Sequence, residues 1–239
     1  MMTHTPVSDT RVALVTGGSR GLGRALVDGL LARGWYVITD GRAADALRSA
    51  TAGHTAARPV VGDVTDPVHR AALAAAVADA GRLDLLVNNA STLGPSPLPA
   101  LATVDEATLA GVYRTNVIAP LLVFQTVGSV LEAAGGTVIN ITSDAAGGPW
   151  PGWGVYGSSK AALDQLTSVL AAEHPHLAVY ALDPGDLRTA MHQAAFPDED
   201  ISDRPAPASV VPAILALIDD PPPSGRLRAA DIGVAAGGR

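Results

Sequence analysis

The sequence contains no cysteine, few aromatic residues and no excess of positive charge. Without cysteine, disulfides, thiolate chemistry and Cys-based metal sites are excluded. Aromatic residues make up only 4%, so a core must be built from Ala, Val, Leu and Ile, which the 48% hydrophobic fraction supplies. The net charge is −7. Nucleic acid and anionic membrane both reward a basic surface, so neither is an expected partner. No uninterrupted apolar run approaches the roughly 20 residues that span a bilayer. The opening residues 1–10 have neither the basic start nor the apolar stretch of a signal peptide, which leaves the cytoplasm as the expected compartment. The histidines show no metal-ligand spacing, and no metal is expected.

What the chain has is alternation. Short β-branched runs at 12–16, 36–39, 59–62, 83–88, 137–142 and 178–182 are apolar without a polar face, as strands buried on both sides are. Between them, Ala- and Leu-rich stretches of helical period predict helices near 22–33, 43–51, 66–80, 105–133, 154–173 and 206–219. Asp66-Pro67 is an N-cap followed by Pro at the first helical position, and Pro175 stops the helix before it. This order predicts an α/β fold: a doubly wound, Rossmann-like parallel sheet flanked by helices. No linker divides the 239 residues, so a single domain over 1–239 is expected.

The first run leads directly into Thr16-Gly17-Gly18-Ser19-Arg20-Gly21-Leu22-Gly23, after which helical periodicity begins. Glycines there permit a tight turn and close approach of the backbone to a pyrophosphate. The helix N-terminus adds free N–H groups and a positive dipole end. A second constellation lies downstream. Ser143 ends the fifth run, and thirteen residues later comes Tyr156-Gly157-Ser158-Ser159-Lys160. Tyr156 and Lys160, four apart, share one face of a helix. A free tyrosine titrates near pH ~10, too high for easy base catalysis, and a neighbouring cation stabilises the phenolate.

The T-G-x-x-x-G-x-G loop, the strand-end serine and the Tyr-x-x-x-Lys pair together resemble the short-chain dehydrogenase/reductase family over residues 11–191. The resemblance implies an NAD(P)-dependent oxidoreductase that moves a hydride between nicotinamide and a small-molecule ketone or alcohol. It implies Tyr156 as proton donor, Lys160 as its cationic partner and a contact to the nicotinamide ribose, and Ser143 as a donor to the substrate oxygen. It also implies Asn116 as the fourth member of the catalytic set, a relay whose backbone carbonyl would hold a water linking Lys160 to solvent. Cofactor contacts carried over from the family fall on Gly17, Ser19, Arg20, Gly21, Leu22 and Gly23, on Asp63 and Val64, and on Asn89, Ala90 and Ser91. Pro184, Gly185, Leu187 and Thr189 match the family's P-G-x-x-x-T segment, in which Leu187 and Thr189 would hold the carboxamide. Ser91 departs from the family's usual glycine; pteridine reductases are among the members that share the serine.

The family reads the adenosine ribose at the end of the second strand, where an acid selects NAD and a base accepts the 2′-phosphate of NADP. Gly41 falls at that position, with Arg42 next and Arg20 in the glycine loop, so NADP(H) is favoured. Asp40 keeps NAD(H) open, because a one-residue shift would turn it to the ribose. On the substrate side, Trp150, Trp153, Met191 and His192 are candidate contacts, and residues about 186–207 are the expected lid. The family's usual C-terminal strand is present only as a weak echo around 224–229. A homodimer or homotetramer is expected, with 105–133 and 154–173 as interface helices. The competing reading is a dinucleotide-binding sensor or scaffold without turnover. Such a protein could dispense with Ser143, Tyr156 and Lys160, which this chain retains together.

Overall fold

The structure, a computed structural model, describes residues 10–233. The residues 1–9 that carry most of the signal-peptide argument, and the tail beyond 233, lie outside them. The six runs become strands β1 (Val12–Val15), β2 (Tyr36–Gly41), β3 (Ala57–Val61), β4 (Leu85–Asn88), β5 (Thr137–Ile141) and β6 (Ala178–Asp183). A seventh, β7 (Gly225–Arg228), adds to the edge beside β6. All pairings are parallel and the strand order is β3-β2-β1-β4-β5-β6-β7. Helices α1 (Gly21–Ala32), α2 (Ala44–Thr51), α3 (Pro67–Ala80), α4 (Glu106–Tyr113), α5 (Ala119–Ala134), α6 (Gly154–Glu173), α7 (Ala190–Ala195) and α8 (Val211–Asp219) complete it.

The strands are apolar throughout because both faces are covered. Ala13 and Val15 pack with Leu22, Leu26 and Leu30 of α1 and Ile214 of α8. Val12 and Leu14, pointing the other way, pack with Leu73 and Val77 of α3, Val123 and Leu131 of α5, and Leu170 of α6. Strand order reverses between β1 and β4. Doubly wound sheets open a crevice at that switch point, beyond the carboxyl ends of the strands.

Three expectations need correction. The helix predicted over 105–133 is interrupted by a π-turn at Arg114–Ile118. Pro120 gives a physical reason. It has no N–H to offer the carbonyl of Asn116, four residues earlier, so regular helical bonding cannot pass through. The seventh strand is a full sheet member, although its alternating Gly-Arg-Leu-Arg pattern lacks the apolar run of the others; charged side chains are what an edge strand tolerates. Finally, the helical stretch Glu106–Ala134, π-turn included, is apolar and long enough by length and composition to cross a membrane, despite having no uninterrupted run. In this fold its inner face is core, with Val123, Phe124, Val127 and Leu131 buried.

Candidate active site

A cleft of about 900 Å³ lies at the carboxyl ends of the strands. One wall is the glycine loop: Gly17, Ser19, Arg20, Gly21 and Leu22 line it. Gly17 has φ +72° and Gly21 φ +57°, conformations that favour glycine. Gly23 does not line the cleft. It lets α1 press against the loop, because a Cβ there would come within 2.3 Å of the Gly17 carbonyl. Asn89 ties the loop down, its amide donating to the carbonyls of Thr16 (2.8 Å) and Gly17 (3.2 Å). The first turn of α1 has neither a side-chain cap nor an acidic residue. Its uncapped N–H groups and dipole suit an anion, so the loop fits the pyrophosphate of a dinucleotide.

Gly41, Arg42, Gly62, Asp63 and Val64 line the end of the cleft beyond β2 and β3, where the family resemblance would put an adenosine. The structure puts Gly41 at the end of β2, where a side chain would press on Ser19. Asp40 is turned inward and only 1% exposed. Its carboxylate accepts from the Gly17 N–H (2.6 Å) and from His69 Nε2 (2.9 Å). Arg42 stays largely solvent-exposed, 3.8 Å from Asp63. Partial burial alone would raise the Asp63 carboxyl. The backbone N–H and hydroxyl of Thr65, with Arg42 and His69 nearby, hold it below the usual carboxylate range instead.

Ser143, Tyr156 and Lys160 all line the cleft. Helix α6 approaches the end of β5 closely because residue 157 is glycine; a Cβ there would lie 2.5 Å from the Ala145 carbonyl. The Ser143 hydroxyl is oriented by its own turn, accepting from the Ala145 N–H (3.1 Å) and donating to Asp144 (3.0 Å). Lys160 is fully enclosed. Its Nζ donates to the Ile141 carbonyl (2.7 Å) and stands 5.5 Å from the centre of the Tyr156 ring. Burial pushes the Lys160 ammonium down to about 8, against the pull of Asp164. Burial pushes the Tyr156 phenol up to about 12; the Ser91 and Ser143 hydroxyls work against that shift, and Asp183 and Asp144 with it.

Asn116 is completely buried in the π-turn behind these groups. Its side-chain oxygen accepts from the Ser91 hydroxyl (3.0 Å) and the Thr92 N–H (2.9 Å). Its amide donates to the Thr92 carbonyl (2.9 Å) and to Ser159 (3.0 Å). Ser91 therefore bonds Asn116 while its hydroxyl also acts on the Tyr156 phenol. Ala90, Pro184, Gly185, Leu187 and Thr189 also line the cleft. The Thr189 hydroxyl caps α7, accepting from the His192 N–H (3.1 Å).

Of the substrate-side residues, Trp153, Met191 and His192 line the cleft. The Trp153 ring meets Tyr156 edge-on and also contacts Phe196, each pair at 5.8 Å between centroids. Trp150 is a correction. It is 55% exposed, its indole lies over Gly148, and it is not among the residues that line the cleft. His192 Nδ1 lies 3.8 Å from Asp186, and its buried Nε2 has no partner among the described residues.

Sequence reasoning missed Arg226, on the faint seventh strand. Its guanidinium donates to the Ser143 carbonyl (3.0 Å) and to Asp164 (3.0 Å), and stands 3.6 Å from Asp183. It thus ties the edge strand to the turn that carries Ser143. Arg226→Met is expected to lower kcat about tenfold through loss of alignment, with the Kd for dinucleotide unchanged. An equal loss in dinucleotide affinity would contradict this. Also unanticipated, Glu132, His174 and His176 bring ligand-capable atoms within 4.8 Å of one another, the single such trio among the described residues. They sit at the C-terminal ends of α5 and α6, away from the cleft, and His174 Nδ1 is already paired with Glu132 (2.6 Å).

Comparison with known proteins agrees with this fold. The sequence profile of the short chain dehydrogenase family matches residues 11–200. The sepiapterin reductase of Meriones unguiculatus is 36% identical over 201 residues, covering 77% of this chain and 77% of its own. The gluconate 5-dehydrogenase of Gluconobacter oxydans is 35% identical over 199 residues, covering 80% and 77%. Among solved structures, a short chain dehydrogenase from Escherichia coli CFT073, complexed with NADPH, superposes with a TM-score of 0.85 at 28% identity, over 92% of this chain and 96% of that one.

Proposed function

This chain belongs to the short-chain dehydrogenase family of oxidoreductases acting on CH–OH and C=O groups, and on that premise we propose that it is an NADPH-dependent carbonyl reductase. The observation that carries the reading is the enclosed Tyr156–Lys160 pair, set with Ser143 in the same cleft as the glycine loop. A bound nicotinamide would supply or take the hydride. Everything else falls to the chain's own residues. Tyr156 holds a proton throughout the neutral range, because burial pushes its phenol up to about 12. It can still give that proton to an alkoxide, which is far more basic. Lys160, when charged, stabilises the phenolate left behind. Ser143, with its hydroxyl proton turned from Asp144 to the substrate, donates to the carbonyl oxygen and stabilises the charge developing there. Asn116, through Ser91 and Thr92, sets the wall opposite Tyr156, and the segment 186–207 closes over the substrate as a lid.

The preference for NADP(H) is supported by three features at the ribose end. Gly41 leaves room, Arg42 and Arg20 line the cleft as cations, and Asp40 faces inward. A kcat/KM for NADPH at least about tenfold above that for NADH is expected, since each cation near a 2′-phosphate contributes on this scale. A preference for NADH would overturn the cofactor assignment. The pH dependence follows from Lys160. Below about 8 its ammonium is charged and supports proton transfer, so kcat/KM for reduction is level on the acid side. It falls as pH rises through that value, and a profile that stays level well above it would contradict the role of Lys160. The exposed apolar residues Leu109, Ile118 and Val169 on the helices 106–134 and α6 support self-association through these helices, as a homodimer or homotetramer.

A further inference from the structure

Among the described residues lining the ribose end, Asp40 stands out: an acid next to the position that selects cofactor, yet withdrawn from it. Both carboxylate oxygens are occupied. Oδ1 accepts from the Gly17 N–H at 2.6 Å and Oδ2 from His69 Nε2 at 2.9 Å. A carboxylate can only accept, so the ring nitrogen donates. Both side chains are almost wholly buried, at 2% and 4% exposure. The imidazole lies directly over Gly62, where any Cβ would come within 2.1 Å of Nδ1. Gly62, His69 and Asp40 thus form one stack that runs from the end of β3 to the glycine loop.

We infer that His69 is a specificity-determining positioning residue: by binding Asp40 from behind, it keeps that acid from acting on the adenosine ribose. The inference rests on the NADP(H) reading and explains how the chain tolerates an aspartate one residue from the ribose position. Without the His69 donor, Oδ2 would be a buried carboxylate oxygen with no partner. Such a group moves to water where it can. The adjoining adenosine pocket is lined by Asp40 itself and offers that water. There the carboxylate accepts from ribose hydroxyls, which favours NADH, and repels a 2′-phosphate, which disfavours NADPH.

The test measures Kd for NADPH and NADH by fluorescence titration, without substrate or turnover, on variants shown to be folded by circular dichroism. In His69→Leu, the ratio of Kd for NADH to Kd for NADPH is expected to fall about tenfold or more, on the scale of one unscreened charge contact. His69→Gln, whose amide nitrogen reaches the place of Nε2, restores the ratio. Asp40→Asn with His69→Leu removes the charge and also restores it. An unchanged ratio in His69→Leu overturns the inference, and so does an equal fall in the double variant. Should His69→Leu fail to fold, the same ratio is read on His69→Gln, which must hold it, and on the shorter His69→Asn, which must lower it. Equal ratios in those two overturn the inference. The cofactor reading fails separately, if the unmodified chain binds NADH more tightly; the inference is judged on the change between variants.

Discussion

Tyr156→Phe is expected to lower kcat for carbonyl reduction about a thousandfold, in the range that a positioned general acid contributes. The substitution removes one oxygen and keeps the ring. The edge-on contact with Trp153, 5.8 Å between centroids, therefore survives, as does the apolar packing with Leu93 and Ala145. The Lys160 ammonium keeps its bond to the Ile141 carbonyl, 2.7 Å away. What is lost is the proton that must reach the substrate oxygen as hydride reaches carbon. Dinucleotide affinity, measured by fluorescence titration, is expected to stay within about threefold, because a phenol contributes one neutral hydrogen bond at most. Near-normal turnover in this variant would refute Tyr156 as the proton donor.

Gly23→Ala is expected to act at the other end of the cleft. A Cβ at 23 would lie 2.3 Å from the Gly17 carbonyl and 2.4 Å from the Asn89 amide nitrogen. The first is backbone and cannot yield as a flexible side chain does. The helix must move away from the glycine loop, and the two Asn89 bonds that hold the loop must lengthen. Overpacking of this kind destabilises by about 1–3 kcal/mol, which a thermal melt reads directly. The loss of dinucleotide affinity is expected to reach about a hundredfold, because binding depends on uncapped N–H groups held in place. Unaltered affinity would mean that the close packing of α1 on the loop does not position the binding groups.

Much of this was legible from residue order because the signals are local. A strand buried on both faces is an apolar run, and a helix start capped by Asp66 and Pro67 is a two-residue pattern. The spacing of Ser143, Tyr156 and Lys160 is fixed by one strand end and one helix turn. What escaped was set by pairings across the chain. Asp40 and His69 are 29 residues apart, and no local pattern names the histidine that holds the acid. Arg226 is 83 residues from Ser143 and stands on a strand whose composition hides it. The break in the long helix did have a sequence signal, Pro120, placed where Asn116 needs a donor. Trp150 and Trp153 read alike in sequence, yet only Trp153 lines the cleft, while Trp150 is exposed.

Turnover, as opposed to dinucleotide binding alone, is what the Tyr156–Lys160 pair would add to the glycine loop. The direct measurement is the loss of reduced-nicotinamide absorbance when the purified chain and NADPH meet a panel of ketones, quinones and aldehydes. The account predicts substrate-dependent oxidation of NADPH that disappears in Tyr156→Phe. Tight NADPH binding with no turnover on any carbonyl of the panel, or turnover that persists without the Tyr156 hydroxyl, would contradict it.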